Sequence, residues 1–123
     1  MKIAIIAHDN KKADMVAFVM KRLDFFHRED VELIATGTTG KHIEHAGLVV
    51  TRVFSGPHGG DAQIAARLVE GEIDAVLFFI DPLSSHPHEV DVHMLMRLCN
   101  VWDIPLATNY STASKMITAF EKC

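Results

Sequence analysis

Five short apolar runs, each followed by a stretch with helical periodicity, organise this chain. Lys2–Ala7 (KIAIIA) and Ile73–Ile80 carry apolar residues on both faces, the pattern of strands buried in a parallel sheet. Val31–Ala35, Val49–Phe54 and Ile104–Ala107 complete the set of strands. Between them, Val16, Val19, Met20, Leu23 and Phe26 make one helical stripe, and Val92, Leu95, Met96, Cys99 and Trp102 another. A short helix through Ile43, one burying Ile64 and Leu68 and ending at Gly71, and one over Ser111–Phe120 account for the rest. Five βα units predict an α/β fold: a single three-layer, doubly wound domain over residues 1–123, with a five-stranded parallel sheet and helices on both faces. The length of 123 residues suits one domain, and 49% apolar against 23% charged residues supplies its core, which excludes a disordered or fibrous chain.

Parallel sheets of this type bind ligands beyond the carboxyl ends of their strands. The segments after the five strands are HDNKK, TGTTG, SGPHGGD, DPLSSHPHEVD and TNYST, whereas the return connections FFHRED, GL and GEID are bland. The unusual polar chemistry therefore gathers on one edge. With a net charge of -4 and scattered Lys and Arg, the chain lacks the basic face that nucleic acid or an anionic membrane requires. The longest apolar run, Ala75–Ile80, is far short of the roughly 18 residues of a membrane span. The run at Ile3–Ala7 is too short for a signal peptide, and Cys99 and Cys123 make no disulfide framework, so a reduced cytoplasmic protein is expected.

Thr36-Gly37-Thr38-Thr39-Gly40 joins a strand to a helix start, where backbone N–H groups, hydroxyls and the helix dipole favour an anion; an ordinary N-cap with a glycine-rich turn has the same sequence. No Gly-Lys-Ser/Thr follows, so it is not a Walker loop. In Ser55-Gly56-Pro57-His58-Gly59-Gly60-Asp61, paired glycines before a carboxylate point to unusual backbone geometry or close ligand approach, with Asp61 either a fixed carboxylate or a helix cap. His86, His88, Asp91 and His93 admit a zinc reading, but an acid–base role for His88, oriented by a nearby carboxylate, fits the loop better, and Asp91 can equally be a cap. His8 and Asp9 end the first strand, Lys12 begins the first helix as a point charge suited to phosphate, and Asp81 ends the central strand. His27, His42, His45 and His58 read as surface residues, and Asn109 and Thr112 as pocket rim or cap.

These strings resemble the methylglyoxal synthase family: AHDNKK at 7–12, ATGTTG at 35–40, SGPHGGD at 55–61, FFIDPL at 78–83, PHEVD at 87–91 and NVWDIPLATN at 100–109. The resemblance runs from Lys2 to about Ala119. It implies conversion of dihydroxyacetone phosphate to methylglyoxal and inorganic phosphate, without metal or organic cofactor, in a cytoplasmic homohexamer. It also implies Asp61 as catalytic base, with His88 and His8 contacting substrate and Asp91 in a catalytic acidic set. Lys12, Thr36, Gly37, Thr38, Thr39, Ser55 and Gly56 would hold the phosphate, supported by Asp9, Gly59, Gly60 and Asp81. Glu89-Val90 stands where some relatives carry Asp-Pro, which leaves the spacing of the acids intact. The sequence stops at Cys123, whereas many relatives continue, so regulation carried by such a tail is not assumed here. A non-catalytic domain of the same fold that senses a phosphorylated metabolite is the competing expectation; the intact Gly-Gly-Asp and Pro-His…Asp favour the enzyme. A response-regulator receiver is excluded, because His8-Asp9 and Thr108-Asn109 supply neither its acidic cluster nor its lysine.

Overall fold

Lys2–Ala7 forms β1 at the centre of a parallel sheet, paired to β2 (Glu32–Ala35) on one side and β4 (Ala75–Phe79) on the other. A computed structural model describes residues 1–84 and 89–123. β3 (Val50–Arg52) and β5 (Leu106–Ala107) are the edges, giving the order β3-β2-β1-β4-β5 with every pair parallel. The helices are α1 (Lys12–Lys21), α2 (Leu23–Phe26), α3 (Gly37–His45), α4 (Gly60–Val69), α5 (Glu89–Val101) and α6 (Tyr110–Glu121).

Alternation along the central strands divides the core into two layers. Ile3, Ile5 and Ala7 of β1 and Ala75, Leu77 and Phe79 of β4 pack with Met15, Phe18, Val19, Ile43 and Ile117 of α1, α3 and α6. Ala4, Ile6, Val76 and Phe78 face the opposite way, onto Ile64 and Leu68 of α4 and Val92, Leu95 and Cys99 of α5. Both faces of β1 and β4 are thus dry, which is why their sequences are continuously apolar rather than alternating. Each large side chain buried this way contributes about 1.5–3 kcal/mol. The three-layer, doubly wound architecture read from the sequence is the one observed.

Several boundaries differ from the sequence reading. The stripe from Val16 to Phe26 is broken, because the chain turns at Arg22 and α1 and α2 are separate helices. α1 buries Met15, Phe18 and Val19 and leaves Met20 exposed. Trp102 lies beyond the end of α5 and is exposed. The strands at residues 49–54 and 104–107 are shorter than their apolar runs, ending as the edges do with fewer partners. Arg22 ties the α1–α2 turn to α6, donating to the Ser114 carbonyl and hydroxyl, to Thr118 Oγ1 and to Glu121 Oε1 at 2.8–3.1 Å. Among the described residues no helix is long and apolar enough to cross a membrane.

Candidate functional site

The strand order reverses between β1 and β4: the first crossovers run from β1 toward β3, and the next crosses back to β4. A crevice forms where such an order reverses, at the carboxyl ends of the two strands. His8 stands at that point, bound to the end of β4 twice. Its N–H donates to the Phe79 carbonyl at 3.1 Å, and its Nδ1 accepts the Asp81 backbone N–H at 2.9 Å. A backbone N–H can only donate, so Nδ1 carries no proton and the neutral ring bears its proton on Nε2. The ring is buried and meets Phe78 edge-on at 5.2 Å. Asp81, also buried, accepts from Asn10 Nδ2 at 2.9 Å and from the Leu83 N–H at 3.0 Å. Lys12, the first residue of α1, forms an ion pair with Asp9.

A second cluster lies at the ends of β2 and β3. Thr36-Gly37-Thr38-Thr39-Gly40 is not a loop before a helix but the start of α3 itself, with Thr36 as an N-cap whose side chain does not cap. The Gly40 N–H reaches the Thr36 carbonyl at 2.7 Å, closing the first turn. The N–H groups of Thr38 and Thr39 have no acceptor within their own helix, as at any helix start. Thr39 is buried, and its hydroxyl has no hydrogen-bond partner among the described residues. The Gly37 N–H donates to the Phe54 carbonyl at 3.3 Å, and a Cβ on Gly37 would lie 3.3 Å from the Ser55 nitrogen, so the α3 start abuts Ser55-Gly56.

Ser55-Gly56-Pro57-His58 folds as one 3₁₀ turn, closed by the His58 N–H on the Ser55 carbonyl at 3.0 Å, with Ser55 Oγ 2.7 Å from His58 Nδ1. Gly59 follows at φ +99°, where only glycine sits without strain, and its left-handed turn starts α4. Gly60 packs against the backbone so closely that a Cβ would fall 1.8 Å from the Phe54 oxygen. Asp61 is therefore not the helix cap that its sequence position allowed. Gly59 takes that place, and Asp61 lies inside the first turn of α4 at 1% exposure, beside the positive end of the helix dipole. Asp91 is likewise inside α5 rather than its cap, in the first turn, half-buried, and α5 packs on α4.

Asp61 and Asp91 thus share the first turns of neighbouring helices, while Thr36, Gly37, Thr38, Thr39, Ser55 and Gly56 meet at the ends of β2 and β3. His88 lies outside the described residues, as does His86 of the zinc reading. Among the described residues no group of three His, Cys, Asp or Glu is arranged to hold a metal. Cys99 lies on the buried face of α5, and burial pushes its thiol pKa up to about 11. Asn109 caps α6, accepting the Thr112 N–H at 2.9 Å, and also lines a cavity of about 540 Å³ with Lys11, Ile80, Pro82 and Tyr110.

Two residues of this edge were not singled out from the sequence. Asn10 ties the β1 end to Asp81, and Gln63 Oε1 accepts the Phe54 N–H at 2.7 Å, fixing the approach to Ser55. Asn10 lies within the AHDNKK string and Gln63 within α4, but only the fold brings each to its partner.

Residues 14–108 match the family model described as MGS-like domain. The methylglyoxal synthase of Carboxydothermus hydrogenoformans is 53% identical over 120 residues, covering 97% of this chain and 98% of that protein. The chain belongs to the methylglyoxal synthase family. A second methylglyoxal synthase, from Bacillus mycoides, is 54% identical over 123 residues, with 99% of this chain and 92% of that protein covered. The crystal structure of methylglyoxal synthase from Elizabethkingia anophelis superposes with a TM-score of 0.86 at 46% identity, over 94% of this chain and 75% of that one. The five-stranded parallel sheet of this chain is thus shared with a solved methylglyoxal synthase.

Proposed function

We propose that this chain is a phosphate-eliminating lyase that converts dihydroxyacetone phosphate to methylglyoxal and inorganic phosphate through an enediolate. The observation that carries this reading is the buried Asp61 carboxylate on a rigid Gly-Gly turn, on the same sheet edge as a helix start whose buried Thr39 hydroxyl has no partner among the described residues, in a member of this family. A non-catalytic sensor domain is not favoured, since near-full-length relatives are methylglyoxal synthases.

In this reading Asp61 removes the proton from the hydroxymethyl carbon. The charge that develops on the neighbouring carbonyl oxygen is met by imidazole donors, the Nε2–H of His8 and a ring N–H of His88. Neutral imidazole suits that task, as in the handling of a related triose phosphate by an isomerase. The phosphate lies against the N–H groups of α3, the hydroxyls of Thr36, Thr38, Thr39 and Ser55, the Gly56 backbone and the Lys12 ammonium. An otherwise costly buried hydroxyl at Thr39 fits a ligand oxygen. Gly59 and Gly60 shape the turn, and Asp9, Asp81 and Asp91 hold neighbouring groups in place.

Elimination requires the C–O bond to phosphate to stand perpendicular to the enediolate plane, so that the π electrons displace it. As the hydroxyl on the deprotonated carbon gives up its proton and becomes the aldehyde carbonyl, the bond electrons leave with phosphate. The resulting enol then takes up a proton at its terminal carbon and loses its hydroxyl proton to give methylglyoxal. Donors on separate loops fix that torsion and stabilise the leaving charge. A homohexamer and a cytoplasmic location belong to the same proposal, as does a single domain over residues 1–123. Product analysis tests it: methylglyoxal and phosphate in equal amounts support elimination, whereas glyceraldehyde 3-phosphate would mean that the bond is held in plane.

A further inference from the structure

We infer that Asn10 is a positioning residue that sets the tautomer of His8 through Asp81. The inference rests on the functional reading above and adds to it a residue with no assigned role.

Three hydrogen bonds carry it. Asn10 Nδ2 donates to Asp81 Oδ2 at 2.9 Å, across the switch point between the ends of β1 and β4. The other carboxylate oxygen of Asp81 accepts the Leu83 N–H two residues on, at 3.0 Å, an Asx turn that fixes the local backbone. The Asp81 N–H, so oriented, donates to His8 Nδ1 at 2.9 Å. The His8 backbone is held independently: its N–H reaches Phe79, and its carbonyl accepts the Lys11 N–H at 2.8 Å in the turn that carries Asn10.

The consequence is chemical. With Nδ1 engaged as an acceptor, His8 faces substrate with an N–H rather than a lone pair, so it donates to the developing oxyanion and does not compete with Asp61 as base. At position 10 a hydrogen-bond donor faces Asp81 Oδ2, while Oδ1 is held by the Leu83 N–H. Aspartate has nearly the same shape as asparagine but sets one carboxylate against another, so it separates a donor role from mere space filling.

The test uses uniformly ¹⁵N-labelled full-length protein. Long-range proton–nitrogen correlation of the His8 ring, assigned with His8→Gln, reads which nitrogen is protonated. The wild type should show an unprotonated Nδ1 and a protonated Nε2. Asn10→Asp and Asn10→Ala should lose that single pattern and lower kcat for dihydroxyacetone phosphate about tenfold or more, as small misplacements of a catalytic group do. The affinity of both variants for inorganic phosphate should be unchanged. A proton on Nδ1 in the wild type, or an Asn10→Asp variant with the wild-type ring pattern and kcat, would overturn the inference. If the wild type does not turn over dihydroxyacetone phosphate, the functional reading fails by itself, and the ring pattern in the variants still decides the role of Asn10.

Discussion

Gly60 is the position where one methyl group should do the most damage. It lies within α4 outside the left-handed region, so alanine is conformationally acceptable there and by propensity alone would stabilise the helix by about 1 kcal/mol. The packing opposes this. The new Cβ would sit 1.8 Å from the Phe54 oxygen, 2.8 Å from its carbonyl carbon and 3.0 Å from the Ser55 carbon. Relief to even 3.0 Å from that oxygen requires backbone movement of more than 1 Å. Phe54 is not free to yield, because its N–H is held by Gln63 and its carbonyl by Gly37. Overpacking of this kind costs about 1–3 kcal/mol, and a shift of about 1 Å in a positioned group costs about a hundredfold in rate. Gly60→Ala should therefore unfold at lower urea and show kcat/KM about a hundredfold down. Gly59→Ala is the control: the space is open, but φ is +99°, so strain of about 1–2 kcal/mol should appear with far less loss of activity. Urea melts and steady-state assays on both variants check this. Wild-type stability and turnover in Gly60→Ala, or an equal loss of activity in Gly59→Ala, would show that the Ser55 turn is not positioned by this contact.

Further outcomes follow from other contacts. Lys12→Ala should raise KM for dihydroxyacetone phosphate and the dissociation constant of inorganic phosphate about tenfold, the scale of one charge-assisted hydrogen bond; equilibrium dialysis and initial rates measure both. Arg22→Ala should lower stability by about 1–3 kcal/mol through the loss of its bonds to Ser114, Thr118 and Glu121, with kcat unchanged, as read by urea melts and activity. Burial holds the Cys99 thiol protonated up to about pH 11, so a thiol reagent at pH 8 should modify exposed Cys123 alone, and both cysteines only after unfolding; mass spectrometry counts the adducts.

The fold was legible because a doubly buried strand leaves a strong trace: KIAIIA and AVLFF read as central strands for the same reason that both their faces are dry. The helical stripe at Val16–Phe26 misled because periodicity does not register a turn such as Arg22, where the phase is reset. At the site, sequence position alone allowed Asp61 and Asp91 to be caps. The left-handed Gly59 moves the helix start forward, and α5 begins two residues before Asp91, which puts each carboxylate inside a first turn. Asn10 and Gln63 stayed invisible because a single amide acquires meaning only from the group opposite it, here Asp81 and the Phe54 N–H. The gathering of polar segments on one sheet edge was readable, since it follows from strand direction alone.

The most direct measurement is turnover of dihydroxyacetone phosphate by wild-type protein and Asp61→Asn side by side, with a chelator present and the melting temperature of each recorded. The account predicts methylglyoxal and phosphate in equal amounts from the wild type, and a loss of about 10²–10⁴-fold in a variant that still folds. A folded Asp61→Asn protein with near-normal turnover would contradict the assignment of Asp61 as the base.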